Sequence, residues 1–157
     1  MSGARSADGR RPLPITDPGT GTTVAADAAG TRRDLRVDDL HDMLTSFYDT
    51  VALDPLLQPY FAPVDMSEHM PRIVDFWSTI VFHTGAYSGN AFRPHAEMPG
   101  LTGRHFTRWL AVMEDTIDHR FAGPAAENMK AMSHRIALSM QIRLRIEPFG
   151  DSEAMAG

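Results

Sequence analysis

Two histidines and two aromatic hydrogen-bond donors are the residues whose types and positions could do chemistry. His69 begins a predicted helix and lies one turn before Ile73, so it heads an apolar stripe. His95 lies in a glycine-rich segment between helices. Tyr48 and Trp109 lie on the apolar faces of two other helices, and each carries a hydrogen that needs a partner when buried. If the four converge, one histidine could bind a metal at the centre of a flat apolar cofactor while the donors face a bound ligand.

Each of these residues also has an ordinary structural explanation, which stays open at this point. The histidines could be surface or loop groups, and the two aromatic residues could be packing in the core. Other chemistries lack their motifs, because GxSxG, HExxH, GxGxxG and the phosphate-binding GxxxxGK[ST] are all absent. A di-iron bundle would need Glu and His three apart, whereas Glu127 and His134 are seven apart.

The amino-acid composition excludes further kinds of site and classes of protein. The 157 residues contain no cysteine, which excludes disulfides, a thiolate nucleophile, Cys-ligated zinc and haem attached through CxxCH. The 15 Lys and Arg against 20 Asp and Glu give a net charge of −5, which argues against nucleic-acid binding. Because no apolar run approaches the ~18 residues of a membrane helix and the first 30 residues lack the apolar core of a signal peptide, we expect a cytoplasmic protein.

The pattern predicts a single all-α domain at 35–147, with a flexible tail at 1–34 and a short C-terminal tail at 148–157. Residues 1–34 lack aromatics and are rich in Gly, Pro and Thr, so they cannot bury enough apolar surface to order themselves. Apolar spacing predicts long helices over about 35–54, 65–84, 102–121 and 125–145, a short helix within 55–61, and an irregular segment at 84–103.

The start of the second long helix has two possible positions. Asp65 and Glu68 form a D-x-x-E capping box, which would begin the helix directly after Asp65. Pro71 would then lie too deep in the helix and should kink it. The alternative is a regular helix that begins only near Met70.

Taken together, these segments resemble the truncated haemoglobins, and within them group III. The resemblance covers about 70% of the chain and rests on SFYDTVALDPLLQPYF (46–61), HMPRIVDFWSTIVFHTGAYSGN (69–90), RPHAEMP (93–99) and HFTRWLAVMEDTID (105–118). The absence of any Gly-Gly pair fits group III. The resemblance implies a truncated globin fold, a 2-on-2 helical sandwich around a haem pocket.

The resemblance also implies roles for individual residues. His95 matches the proximal ligand of a non-covalent haem b. Tyr48, His69 and Trp109 match the distal pocket, where they would donate hydrogen bonds to a bound diatomic ligand. Residues expected to contact the cofactor are Phe47, Phe61, Ile73, Phe76, Trp77, Met98 and Phe106.

The function implied is reversible binding of dioxygen, with nitric oxide and carbon monoxide as further ligands. A haem enzyme performing nitric oxide dioxygenation or peroxidase-like chemistry is the alternative, and it would need an external reductase. A third possibility is a cofactor-free helical regulatory domain. We expect no nucleic-acid or membrane partner, and a monomer or weak dimer.

Overall fold

The computed structural model describes residues 32–149, and its regular elements are all helical within that range. They are α1 (Leu40–Val51), α2 (Gln58–Phe61), α3 (Met66–Phe82), α4 (Phe92–Ala96), α5 (Gly103–Arg120) and α6 (Pro124–Arg143). A 3-10 turn at Val37–Asp39 leads into α1. No helix of this part of the chain is long and apolar enough to cross a membrane. Residues 1–31 and 150–157, most of the two predicted tails, lie outside the described residues.

The four long helices form two layers. Helix α1 packs on α3 and α5 packs on α6, and the two pairs join through contacts of α1 with α5 and of α3 with α6. This is a two-on-two sandwich, and it confirms the predicted all-α truncated globin fold. The predicted irregular segment at 84–103 contains only the short helix α4.

Helix α3 begins at Met66, so the predicted alternative of a start near Met70 is wrong. The Asp65 carboxylate accepts hydrogen bonds from the backbone N–H groups of Ser67 and Glu68, at 3.1 and 3.4 Å. These bonds satisfy first-turn donors that would otherwise lack partners. Pro71 therefore lies inside the helix, where its missing N–H leaves the Ser67 carbonyl without its usual helical donor.

Helix α6 receives its cap from a residue far away in sequence. The Asp34 carboxylate accepts hydrogen bonds from the backbone N–H groups of Ala125 and Ala126, both at 3.0 Å. Gly123 precedes the helix with φ of 146°, and a Cβ there would lie 2.5 Å from Asp34 Cγ. Only glycine fits this close approach. Residue 34, assigned by the sequence to the N-terminal tail, thus packs on the helical domain.

Two hydrophobic clusters share the interior. The main core joins α1, α3 and the C-terminal half of α5, whereas the second cluster centres on Phe106, Leu110, Ala137 and Met140. Trp109 and Ile136 pack against both clusters. The chain after α6 folds back on the second cluster through Leu144, Ile146 and Phe149.

The buried Gln141 holds the segment after α6 against the second cluster. Its side-chain amide donates to the Ala137 carbonyl at 3.0 Å and accepts from the Phe149 backbone N–H at 2.7 Å. Both ends of a fully buried polar side chain are therefore satisfied, as burial requires.

Candidate functional site

A cavity of about 360 Å³ lies between the main core and the second cluster. Its volume falls within the range of small-molecule sites, and its wall is mostly apolar. Ten of the eleven predicted site residues line it: Tyr48, Phe61, His69, Ile73, Phe76, Trp77, His95, Met98, Phe106 and Trp109.

Phe47 is the predicted site residue that the cavity wall does not include. Its side chain is fully buried in the main core together with Leu44 and Val51. On α1, Tyr48 faces the cavity, whereas Phe47, whose side chain is turned about 100° from that of Tyr48, faces the main core. Phe47 instead contacts the edges of both Tyr48 and Trp109, with ring centroids 4.8 and 5.9 Å away. It therefore supports the two aromatic donors from behind.

His95 is held in one tautomer by the backbone of its own helix. The Asn90 side chain accepts hydrogen bonds from Phe92 and Arg93 N–H and so fixes the start of α4. His95 Nδ1 lies 2.8 Å from the Ala91 carbonyl oxygen, and because a carbonyl can only accept, Nδ1 carries the proton. Nε2 is then a bare lone pair, with no partner among residues 32–149. Metal-binding histidines commonly show this arrangement.

Burial favours the neutral form of the His95 imidazole. Burial lowers its pKa from the ordinary histidine value, and the bond to the Ala91 carbonyl offsets only part of that effect. At neutral pH the ring is therefore the uncharged form that binds metal.

His105 lines the same cavity in the opposite tautomer. Its Nδ1 accepts a hydrogen bond from the Thr102 backbone N–H at 3.1 Å, which closes the capping turn of α5. In the neutral ring Nε2 must then carry the proton, so it can donate a hydrogen bond but cannot bind a metal ion. Burial lowers the pKa of His105 as well, which favours this neutral form. Of the two histidines, only His95 offers a free lone pair.

Two hydrogen-bond donors on the cavity wall lack a protein acceptor. Neither the Tyr48 hydroxyl nor the Trp109 indole N–H has a hydrogen-bond partner in the described part of the chain. Burial raises the pKa of the Tyr48 phenol, so the hydroxyl keeps its proton at any physiological pH. Both residues are partly buried, and a ligand in the mostly apolar cavity could accept both hydrogen bonds.

His69 stands apart from these donors. It is exposed, one turn before Ile73 on α3, although it contributes to the cavity wall. The structure therefore brings His69 to the same cavity as Tyr48 and Trp109 but leaves it open to solvent, at the cavity's mouth.

Sequence reasoning missed a polar group at the rim, formed by Arg72, Tyr87 and Gly89. A Cβ on Gly89 would lie 2.9 Å from the Tyr87 hydroxyl and 3.5 Å from Arg72 Nη2. The ion pairs of residues 32–149 do not involve Arg72, so its charge is available to an anion. One signal was present, since Arg72 follows His69 by three residues on the same helical face. Tyr87 lies in a loop, where the sequence has no periodic pattern of apolar residues that could indicate which side chains meet.

Comparisons with known proteins match the chain to a family and to a fold. The family described as Bacterial-like globin matches residues 36–142. A curated relative, the group 3 truncated hemoglobin ctb of Campylobacter jejuni, is 24% identical over 87 residues, which are 52% of this chain and 68% of the relative. The crystal structure of a group III truncated hemoglobin from Campylobacter jejuni is similar at a TM-score of 0.65 and 22% identity. That match covers 75% of this chain and 96% of the other.

Proposed function

The chain belongs to the bacterial-like globin family, and from this premise we propose that its cavity binds haem b without a covalent link, with His95 as the residue that would bind the iron. When bound, haem supplies an iron with an open coordination position for dioxygen, nitric oxide or carbon monoxide. The chain is thus a haem-binding globin, and reversible dioxygen binding is the function that its pocket supports best.

The observation that carries the ligand assignment is the hydrogen bond from His95 Nδ1 to the Ala91 carbonyl. It leaves Nε2 unprotonated, orients the imidazole and makes the ring more electron-rich as a ligand. His105 fails on the same criterion, because its Nδ1 is already an acceptor. The absence of cysteine leaves no thioether attachment for the porphyrin.

Other features of the cavity match the remaining parts of the cofactor. Phe61, Ile73, Phe76, Trp77, Met98 and Phe106 supply apolar contact area for a flat porphyrin. Arg72 and the Tyr87 hydroxyl at the rim suit the two propionate carboxylates, since guanidinium and phenol both donate to carboxylate oxygen.

On the distal side, the chain's own residues hold the ligand. Dioxygen that enters the pocket would meet the Tyr48 hydroxyl and the Trp109 N–H, neither of which has an acceptor in the described part of the chain. Each hydrogen bond stabilises the complex by about 1 kcal/mol. Together they slow ligand release, and His69 at the mouth adds a third donor when it turns inward. Slow release suits ligand retention or chemistry better than rapid delivery.

Haem reconstitution of two histidine variants tests the proposal. Wild-type protein should take up one haem per chain, show a Soret band, and bind dioxygen and carbon monoxide reversibly. His95→Ala should lose stable haem uptake, and added imidazole should restore it. His105→Gln is the matched control, because glutamine keeps the capping interaction with Thr102, so the Soret band should be unchanged. Full haem content and an unaltered Soret band in His95→Ala would exclude the ligand assignment.

The two unpaired donors also favour a second candidate, nitric oxide dioxygenation. Nitric oxide, dioxygen and one electron give nitrate, and retained dioxygen makes the encounter with nitric oxide efficient. The electron must come from an external reductase, which we place with this protein in the cytoplasm. A fast single turnover without reductase-supported turnover in cells would count against this candidate and leave ligand binding as the function.

A further inference from the structure

Both tryptophans of the chain belong to one continuous series of aromatic rings. Trp109 and Trp77 are stacked, with ring centroids 6.5 Å apart and planes 21° apart. The Phe76 ring lies nearly perpendicular to the Trp77 ring and to the Tyr87 ring, with ring centroids 5.3 Å apart in both pairs. The series thus runs from the distal wall of the cavity on α5, across α3, to the loop that follows α3.

The middle of the series is buried, and both of its ends are partly exposed. Trp77 is 3% exposed, whereas Trp109, on the cavity wall, is partly exposed. Tyr87 is half-exposed, and its neighbours at 83–86 and 88–90 are all exposed. Indole and phenol are the side chains that most readily give up one electron, and rings in contact exchange electrons rapidly by tunnelling. A charge placed on Trp109 therefore has a short route outward.

We propose that Trp109, Trp77 and Tyr87 form a one-electron path that carries oxidising equivalents from the haem pocket to the surface when hydrogen peroxide is reduced there. The inference rests on the proposed haem function. Reduction of one peroxide to two waters takes two electrons and two protons from solvent; bound haem would supply one electron, which a second molecule of the donor in solution restores, and Trp109 would supply the other. Trp77 then reduces Trp109, and Tyr87 reduces Trp77 and passes its phenolic proton to solvent, directly or through the carboxylate that it would contact at the rim. A one-electron donor in solution returns an electron and a proton to Tyr87.

A competing branch ends at Tyr48, which Trp109 reaches through Phe47. A tyrosine must lose its proton when it is oxidised by one electron. The Tyr48 hydroxyl has no acceptor among residues 32–149, whereas Tyr87 is half-exposed at the rim, where its proton can pass to solvent. The path therefore favours Tyr87.

Peroxide oxidation of the haem-loaded full chain tests the path, with freeze-quench EPR to identify the radical and mass spectrometry of spin-trap adducts to locate it. Wild type should give a tyrosyl radical at Tyr87, and Tyr87→Phe should lose it. Phe76→Leu, which removes the bridging ring, should reduce the Tyr87 signal and leave more oxidation on the tryptophans. The matched control is Tyr60→Phe, since Tyr60 contacts His105 rather than either tryptophan; the signal should persist. A tyrosyl signal that survives Tyr87→Phe, or that maps to Tyr48, overturns the proposal.

A second measurement needs no haem and so separates this inference from the proposed function. Azide radicals from pulse radiolysis oxidise tryptophan directly in the full chain. The tryptophan radical should decay as a tyrosine radical appears in wild type, and this transfer should be lost in Tyr87→Phe. An identical decay in both proteins overturns the path, whether or not the chain binds haem.

Discussion

Replacing Tyr48 by phenylalanine separates a role in ligand binding from a role in packing. The substitution keeps the ring contacts with Phe47 and Phe61 and removes only the hydroxyl, which has no acceptor in the described part of the chain. If that hydroxyl donates to bound dioxygen, its loss removes about 1 kcal/mol, so dioxygen should dissociate about fivefold faster. Stopped-flow replacement of dioxygen by carbon monoxide measures this rate.

Stability should respond in the opposite sense. Removing a buried polar group without a protein partner is neutral or stabilising, so the free energy of unfolding of the haem-free Tyr48→Phe chain should stay equal or rise by up to about 1 kcal/mol. Tyr60→Phe is the contrasting variant, because the Tyr60 hydroxyl donates to the Pro99 carbonyl at 2.7 Å. It should lose up to about 1 kcal/mol in urea unfolding. An unchanged dissociation rate together with lower stability in Tyr48→Phe would refute the reasoning.

Four further outcomes are expected. Trp109→Phe should raise the dioxygen dissociation rate by a factor similar to that of Tyr48→Phe, and equal rates in wild type and variant would contradict a donor role. Asp34→Ala should lower the free energy of unfolding by about 1 kcal/mol through loss of the α6 cap, measured in urea. Burial alone would raise the Asp34 pKa, but the N–H groups of Ala125, Ala126 and Leu35 lower it overall. Its stabilisation is therefore complete above the unfolded-state pKa of about 3.9 and is lost as the pH falls through the lower folded value, so the variant should show a weaker acid dependence. Gly123→Ala should cost at least about 1 kcal/mol, because its Cβ meets Asp34 and its φ of 146° is strained for alanine; unchanged thermal unfolding would exclude that clash.

Much of the fold was predictable because the long helices are amphipathic. Periodic apolar residues mark α3 and α5 plainly, and Asp65 and Pro124 mark the starts of α3 and α6. The cap supplied by Asp34 was not predictable, since it depends on a contact across about ninety residues. No local pattern encodes such a contact.

The site was predictable to the extent that its residues lie on helices. The predicted apolar stripe of α1 included Tyr48 and omitted Phe47, whereas Phe47 lies on the buried face of the helix. Neighbouring side chains of a helix point about 100° apart, so an error of one residue in the position of the stripe is enough to misplace Phe47. Arg72, Tyr87 and Gly89 were missed for another reason. Their proximity depends on the path of the loop after α3, where the Tyr87 backbone N–H bonds to the Thr79 hydroxyl at 3.0 Å.

The division of the interior into two clusters links the protein's lifetime to its cofactor. Trp109 and Ile136 pack on both clusters, while much of the remaining boundary is cavity wall. A ligand that fills this space completes the interior, and at a hundredfold excess over its Kd it adds about 2.7 kcal/mol to the free energy of unfolding. Helix α4 and residues 144–149 should then be the first parts that proteases cut in haem-free chains. Degradation would remove those chains selectively, so haem supply would set how much of this globin a cell retains.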